Sequence, residues 1–174
     1  MQNTNTSLLS VKNLSAHFRT DEGTVRAVED VSFDIAPAQT IGIVGESGCG
    51  KSTIGRSILG ILDRNGSVVN GEINWKFGDD NERDVDIAKL NSNGPEMQQI
   101  RGGEIALVFQ EPMSSFSPVH TLGNQMREMI RLHQKVGKKE ANDIAIDLLR
   151  QVGVPRPEQR LEGYVWQLSG GLRQ

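Results

Sequence analysis

The sequence predicts an α/β fold, and three observations predict it. Residues 40–44 form a short, β-branched apolar run, as expected of a strand buried on both faces. Gly45-Glu46-Ser47-Gly48-Cys49-Gly50-Lys51-Ser52-Thr53 follows at once and fits the pattern G-x-x-x-x-G-K-[ST]. Beyond Lys51, the apolar residues Ile54, Ile58, Leu59, Ile61 and Leu62 recur at helical spacing and predict a helix of about three turns. A strand that turns through glycines into a helix is the setting of a phosphate-binding P-loop in a nucleotide-hydrolase-type fold.

The remaining elements arrange themselves around that loop. Residues 8–18 mix alternation with apolar pairs and read as a strand, and Asp21-Glu22-Gly23-Thr24 is a turn. Residues 25–35 alternate again, with Val28, Val31, Phe33 and Ile35 as inward positions, so the two stretches predict an antiparallel pair leading into 40–44. Residues 68–75 return to that antiparallel layer. The charge-rich stretch 76–94 reads as a solvated excursion. Residues 95–100 predict a short helix with proline in its first turn. Residues 104–109 are a second buried-strand candidate, ended by Gln110-Glu111-Pro112. Thr121 is placed to cap a helix whose Leu122, Met126, Met129, Ile130 and His133 share a face. Residues 138–152 show the clearest helical stripe, Ala141, Ile144, Ala145, Leu148 and Val152, with Gly153 ending it and Pro155 beyond.

Composition narrows the partners. A chain of 174 residues can bury a core within one domain, and its net charge of −3 argues against nucleic acid. No apolar run approaches the ~18 residues of a membrane span, and the first residues lack a secretion signal. The one cysteine, Cys49, excludes an internal disulfide and fits a reducing cytosol. It occupies a variable loop position, where a small residue is tolerated. His17, His120 and His133 lack metal-ligand spacing and read as structural or surface residues.

The loop's chemistry follows from its residue types. Glycines accept positive φ and close approach, so successive N–H groups point into one concavity. The helix start adds unpaired N–H groups and the positive end of its dipole, which favour a polyanion. Lys51 supplies a mobile cation for the β- and γ-phosphates, and the Ser52 hydroxyl is a hard oxygen suited to Mg²⁺.

Leu168-Ser169-Gly170-Gly171-Leu172-Arg173-Gln174 resembles the signature motif of ATP-binding-cassette (ABC) ATPases. A Ser-Gly-Gly alone is only a flexible turn. Here it follows the P-loop with Gln110 between, and that order carries the resemblance over nearly the whole chain. The chain is most similar to the ATPase subunits of dipeptide/oligopeptide importers, on Phe18-Arg19-Thr20, the whole 42–53 block, Ile100-Arg101-Gly102, Val108-Phe109-Gln110-Glu111-Pro112-Met113 and Tyr164.

The resemblance implies a fold and a set of roles. Residues 1–110 would hold an antiparallel β layer and the P-loop core, and 111–174 a helical subdomain that docks on permease subunits. Phe18 would stack on adenine. Gly45, Glu46, Ser47, Gly48, Cys49, Gly50, Lys51, Ser52 and Thr53 would hold the phosphates of ATP, with Ser52 on Mg²⁺. Gln110 would complete the Mg²⁺ shell and, with Lys51, serve the reaction. Ser169, Gly170 and Gly171 would close over the γ-phosphate held by a second cassette, identical or paralogous. The work implied is ATP-driven import of peptides or related solutes at the cytoplasmic face of the inner membrane.

Departures from the family pattern qualify this. Ala38-Gln39 stands where the family has Gly-Glu, Val165-Trp166 replaces Pro-His, and Leu172 replaces methionine. The family's aspartate strand, catalytic glutamate and switch histidine would all follow Gln174. The expectation is therefore an N-terminal portion that binds nucleotide without hydrolysing it, with 41–44 and 105–109 facing empty slots in an incomplete parallel sheet. Two other readings are a nucleotide-binding or interaction module without transport, and a soluble ABC ATPase.

Overall fold

In the computed structural model, residues 7–77, 83–109 and 115–173 are described. The chain divides into two compact units, Met1–Ala106 and Leu107–Gln174.

The first unit is built on one antiparallel sheet of order β2-β1-β3-β4, with β1 Leu9–Thr20, β2 Gly23–Ile35, β3 Gly66–Phe77 and β4 Arg83–Asp86. The tight turn after Thr20 pairs Arg19 with Thr24 and Phe18 with Val25, and β3 meets the other edge of β1, placing Leu9 opposite Trp75. Both ladders slip around Asn13, where β1 bulges. Side chains replace the missing ladder bonds there: Asn13 N–H donates to Ser32 Oγ, its amide to Asp30, and Asp30 N–H to Ser15 Oγ. On the facing strand Gly71 has φ +99°, and a Cβ there would lie 2.6 Å from the Lys12 and Asn13 carbonyl oxygens. Only glycine lets the two backbones approach so closely.

β1 is the central strand and supplies Leu9, Val11, Leu14 and Ala16 to the core, joined by Val28, Ile54, Ile73, Trp75, Ile87, Met97 and Ile100. Fully burying each large aliphatic among these contributes about 1.5–3 kcal/mol. The stretch expected to be a solvated excursion is in part structural. β4 pairs with β3, and a 3₁₀ turn at Ile87–Lys89 buries Ile87 in the core. Asp86 ends the strand, its Oδ1 accepting from the N–H groups of Ile73 (3.0 Å) and Ala88 (3.1 Å) while Lys89 Nζ lies 2.8 Å from Oδ2. A charged stretch can hold a strand when its carboxylate is spent on backbone donors rather than on water.

Helix α1, Lys51–Ile58, has eight residues, so it is shorter than its apolar spacing predicts. Gly60, at φ +60°, accompanies its end. The short helix α2, Pro95–Gln99, has proline in its first turn as expected, and passes into a π-helical turn at Ile100–Glu104. The two expected parallel strands are a correction. Residues 40–44 and 105–109 belong to no ladder among the described residues, and Val44 and Val108 are 95% and 92% exposed. An apolar run becomes a strand only when neighbouring N–H and C=O groups meet its own.

The second unit packs α3 Leu122–His133, α4 Lys138–Gln151, α5 Pro157–Leu161, a 3₁₀ turn Val165–Gln167 and the short α6 Gly170–Arg173. Thr121 caps α3, its Oγ1 accepting from Asn124 N–H at 3.2 Å. The core comprises Leu122, Ile130, Ala141, Ala145, Leu149, Leu161, Val165 and Leu168. Both predicted helical stripes need correcting. In α3, Met129 and His133 are exposed, and in α4 the buried line is Ala141, Ala145 and Leu149 while Leu148 and Val152 are exposed. A stripe drawn through 144, 148 and 152 lies on the helix flank next to the one that faces the core. Gly153, at φ +76°, ends α4 as its position predicts, its N–H donating to the Arg150 carbonyl at 3.0 Å.

Candidate functional site

The glycine loop is seated against the sheet by contact at one residue. Gly50 is the N-cap of α1 with φ +97°, and a Cβ there would lie 2.3 Å from the Ala27 carbonyl oxygen and 3.3 Å from Val28 Cγ2. β2 therefore fixes where α1 begins. Gly48 also has positive φ, +82°, but a Cβ there would meet nothing within 4 Å. A Cβ on Gly45 would fall 2.6 Å from Cys49 Sγ, so the two ends of the loop nearly touch.

Lys51 closes the loop on itself. Its Nζ donates to the carbonyl oxygens of Gly45 (2.9 Å) and Glu46 (2.6 Å) and stands 3.6 Å from Cys49 Sγ. Helix α1 has no side-chain cap and no acidic residue in its first turn. Among the described residues, the N–H groups of Lys51, Ser52 and Thr53 have no protein acceptor. Ser47 and Ser52 are exposed beside them, and the Thr53 carbonyl is engaged by Ser57 Oγ at 2.8 Å. Unpaired donors, a helix N-terminus without a carboxylate in its first turn, and an ammonium group held by carbonyls and a thiol rather than by a carboxylate make a cradle for a polyanion.

Phe18 is half-buried on β1, opposite Val25 and Gly66. Its ring lies over Gly66, where a Cβ would come 2.6 Å from Cε1. It stands two positions along β1 from Ala16, whose β2 partner Val28 abuts Gly50. His17 beside it hydrogen-bonds Glu29 through Nε2, and His120 Nδ1 lies 2.8 Å from Ser117 Oγ. Gln110 lies outside the described residues.

Ser169, Gly170 and Gly171 belong to the second unit, and all three are exposed at the start of α6. The Ser169 carbonyl accepts from the N–H groups of Leu172 (3.0 Å) and Arg173 (3.2 Å). A Cβ on Gly170 or Gly171 would meet nothing within 4 Å, so no contact among the described residues requires glycine at either position.

One residue that shapes the site is not evident from the local pattern. The Arg101 guanidinium donates to the Leu59 (3.3 Å) and Gly60 (3.4 Å) carbonyls and to the Ser92 carbonyl, so it clamps the far end of α1. A cation at a helix C-terminus also complements its dipole. Leu59 and Gly60 lie 42 and 41 positions away in sequence, and no short-range pattern signals them. Among the described residues, no helix is long and apolar enough to cross a membrane, and no cluster of three or more His, Cys, Asp or Glu side chains is placed to hold a metal ion.

Known proteins resemble this chain in sequence and in fold. The ABC transporter family model matches residues 28–174. The dipeptide transport ATP-binding protein DppD of Bacillus subtilis is 42% identical over 168 residues, covering 96% of this chain and 48% of that protein. DppD of Escherichia coli is 39% identical over 176 residues, covering 97% and 49%. The chain thus spans about half the length of the curated relatives it matches. Among solved structures, the dimeric ABC transporter cassette MJ0796 superposes with a TM-score of 0.75 at 22% identity, covering 95% of this chain and 65% of that one. The same cassette has been solved in a post-hydrolysis state bound to ADP and Pi, with the same TM-score. These structures share the fold, an α/β nucleotide-binding cassette.

Proposed function

Because the chain belongs to the ABC transporter family, we propose that it binds ATP with Mg²⁺ at residues 45–53 and is the nucleotide-binding part of a peptide importer's ATPase subunit. The observation that carries the reading is the cradle: first-turn N–H groups without acceptors among the described residues, Gly50 pressed on β2, and Lys51 held by loop carbonyls and the Cys49 thiol. Lys51 would exchange those carbonyls for phosphate oxygens. Ser52 would offer its hydroxyl to Mg²⁺, an ion that keeps most of its shell as water and phosphate and needs few protein ligands. Bound Mg²⁺ neutralises phosphate charge. Phe18 is assigned to the base, near the end of an interior strand whose neighbour β2 also seats the loop, and Gln110 to the metal and the γ-phosphate.

We assign Ser169, Gly170 and Gly171 to the nucleotide of a second cassette. The open space around both glycines supports this, since no contact among the described residues uses their small size. Peptides are the cargo, on the strength of relatives that are 39–42% identical and named for dipeptide transport. The partners are a second cassette and integral-membrane permease subunits, which place the chain at the cytoplasmic face of the inner membrane. Nucleotide binding is assigned to this chain and hydrolysis to the whole protein.

The test is ligand linkage. Mg-ATP is expected to raise the melting temperature of the parent chain and not that of Lys51→Ala, because a ligand that binds only the folded state stabilises it by RT ln(1 + [L]/Kd). Equal melting curves with and without Mg-ATP for the parent would overturn the nucleotide assignment. Failure to co-purify with peptide permease subunits would overturn the transport assignment alone.

A further inference from the structure

From the junction of α3 and α4 we infer a second surface, one that takes the anionic headgroups of a lipid bilayer. Residues 127–139 carry Arg127, Arg131, Lys135, Lys138 and Lys139 against the single acid Glu128, in a chain whose net charge is −3. Structure brings three of them together. Arg127, Lys138 and Lys139 line one concavity with Asn142 and Glu162. Val136 packs into the helical core, which leaves its neighbour Lys135 exposed.

Arg127 is already engaged, by Asn142 Oδ1 (2.9 Å), Asn124 Oδ1 (2.8 Å) and, at 3.9 Å, Glu162. The other four differ. Among the described residues, the side chains of Arg131, Lys135, Lys138 and Lys139 have no hydrogen bond or ion pair, although Glu128, Glu140 and Asp143 lie nearby in the sequence and are exposed. Leu132, between Arg131 and Lys135 in sequence, is 72% exposed in the last turn of α3.

The occupant follows from that mixture. Free cations alone would suit any polyanion. An aliphatic side chain held out between them in sequence gains from an interface where headgroups give way to acyl chains, and it gains nothing from a solvated phosphate backbone. The inference rests on the importer reading only in that this reading brings the chain to a membrane.

The experiment is co-sedimentation of the full chain with vesicles of phosphatidylcholine, alone or mixed with phosphatidylglycerol. Binding to the anionic vesicles only is expected, with loss as salt shrinks the Debye length from about 10 Å at 0.1 M to about 3 Å at 1 M. Each cation removed should weaken partitioning about fivefold, so the combined Lys135→Glu, Lys138→Glu, Lys139→Glu variant should show no measurable binding. Leu132→Ser should weaken it without changing the salt dependence. Lys12→Glu, a single charge reversal of the same kind in the other unit, should leave binding intact. Equal binding to both vesicle types, binding to neither, or the same loss in Lys12→Glu would overturn the inference. So would vesicle binding unchanged in the triple variant alongside lost permease co-purification, which would assign the patch to an acidic protein segment. Mg-ATP stabilisation followed in the same samples reports separately on the nucleotide reading.

Discussion

Gly48 and Gly50 invite a matched comparison, because both have positive φ and only one is crowded. Placing alanine in a left-handed conformation costs about 1–2 kcal/mol. For Gly48→Ala that is the whole penalty, since the new Cβ meets nothing within 4 Å. For Gly50→Ala the Cβ arrives 2.3 Å from the Ala27 carbonyl oxygen. A carbon–oxygen contact needs roughly 3.3 Å, so either β2 or the start of α1 must give way by about 1 Å. Relief of an overpacked contact costs a further 1–3 kcal/mol or so. Gly50→Ala should therefore cost about 2–5 kcal/mol, a large part of a margin of about 5–15 kcal/mol. At roughly 2–4 °C per kcal/mol for a chain of this size, it should melt several degrees below Gly48→Ala. The displaced residues include Lys51 and Ser52, so Mg-ATP affinity should fall at least tenfold in Gly50→Ala and less in Gly48→Ala. Thermal melts by circular dichroism, with and without Mg-ATP, read both quantities. Equal melting temperatures and equal nucleotide-induced increments for the two variants would refute the idea that β2 sets the position of the phosphate loop.

Other perturbations are simpler. Lys51→Met should leave the nucleotide-free melting temperature nearly unchanged, since the side chain holds only loop carbonyls and the Cys49 thiol, yet weaken Mg-ATP binding by about tenfold or more (about 1.4 kcal/mol per decade) in calorimetry. Asp86 should govern part of the acid limb. Burial, the largest single influence, pushes its carboxyl up, but Lys89 and the N–H groups of Ile73 and Ala88 together hold it below the ordinary value. A depressed carboxylate stabilises the fold fully above its unfolded pKa of about 3.9 and loses that contribution as pH falls through the lower folded value. Unfolding followed below about pH 4 should thus be shallower in Asp86→Asn, and an identical acid limb would remove Asp86 from the account. Leu149→Ala should cost about 2–4 kcal/mol in urea denaturation, whereas Leu148→Ala, 43% exposed, should stay within about 1 kcal/mol. Equal costs would put the core on the wrong flank of α4.

What was legible in the sequence was whatever depends on neighbours along the chain. The β1–β2 hairpin, the return of β3, the Thr121 cap, the proline start of α2 and the Gly153 stop all follow from local chemistry, and the structure has each of them. The loop's glycines were also legible, but the reason for Gly50 was not. Positive φ is a local demand, whereas the Ala27 carbonyl that excludes a Cβ comes from a different strand. β4 was hidden for the same reason. Residues 83–86 read Arg-Asp-Val-Asp, polar enough for solvent, and only the Ile73 and Ala88 donors make Asp86 an internal group.

The runs 40–44 and 105–109 show the opposite failure, and it bears on function. Their composition is that of buried strands, and the structure gives them the solvent exposure of loops at Val44 and Val108. Apolar composition states what a segment can tolerate around it, and the ladder must come from elsewhere. These two runs lead into the phosphate loop and into Gln110, the two assigned ends of the nucleotide's phosphate contacts. α1 is held from both ends, by β2 at Gly50 and by Arg101 at Leu59 and Gly60. Residues 105–109 are anchored, among the described residues, only at their start, where Ile105 packs on the core and its N–H bonds the Ile100 carbonyl at 2.9 Å. The proposed nucleotide contacts therefore have their firmest support at the loop, where α1 is fixed from both ends.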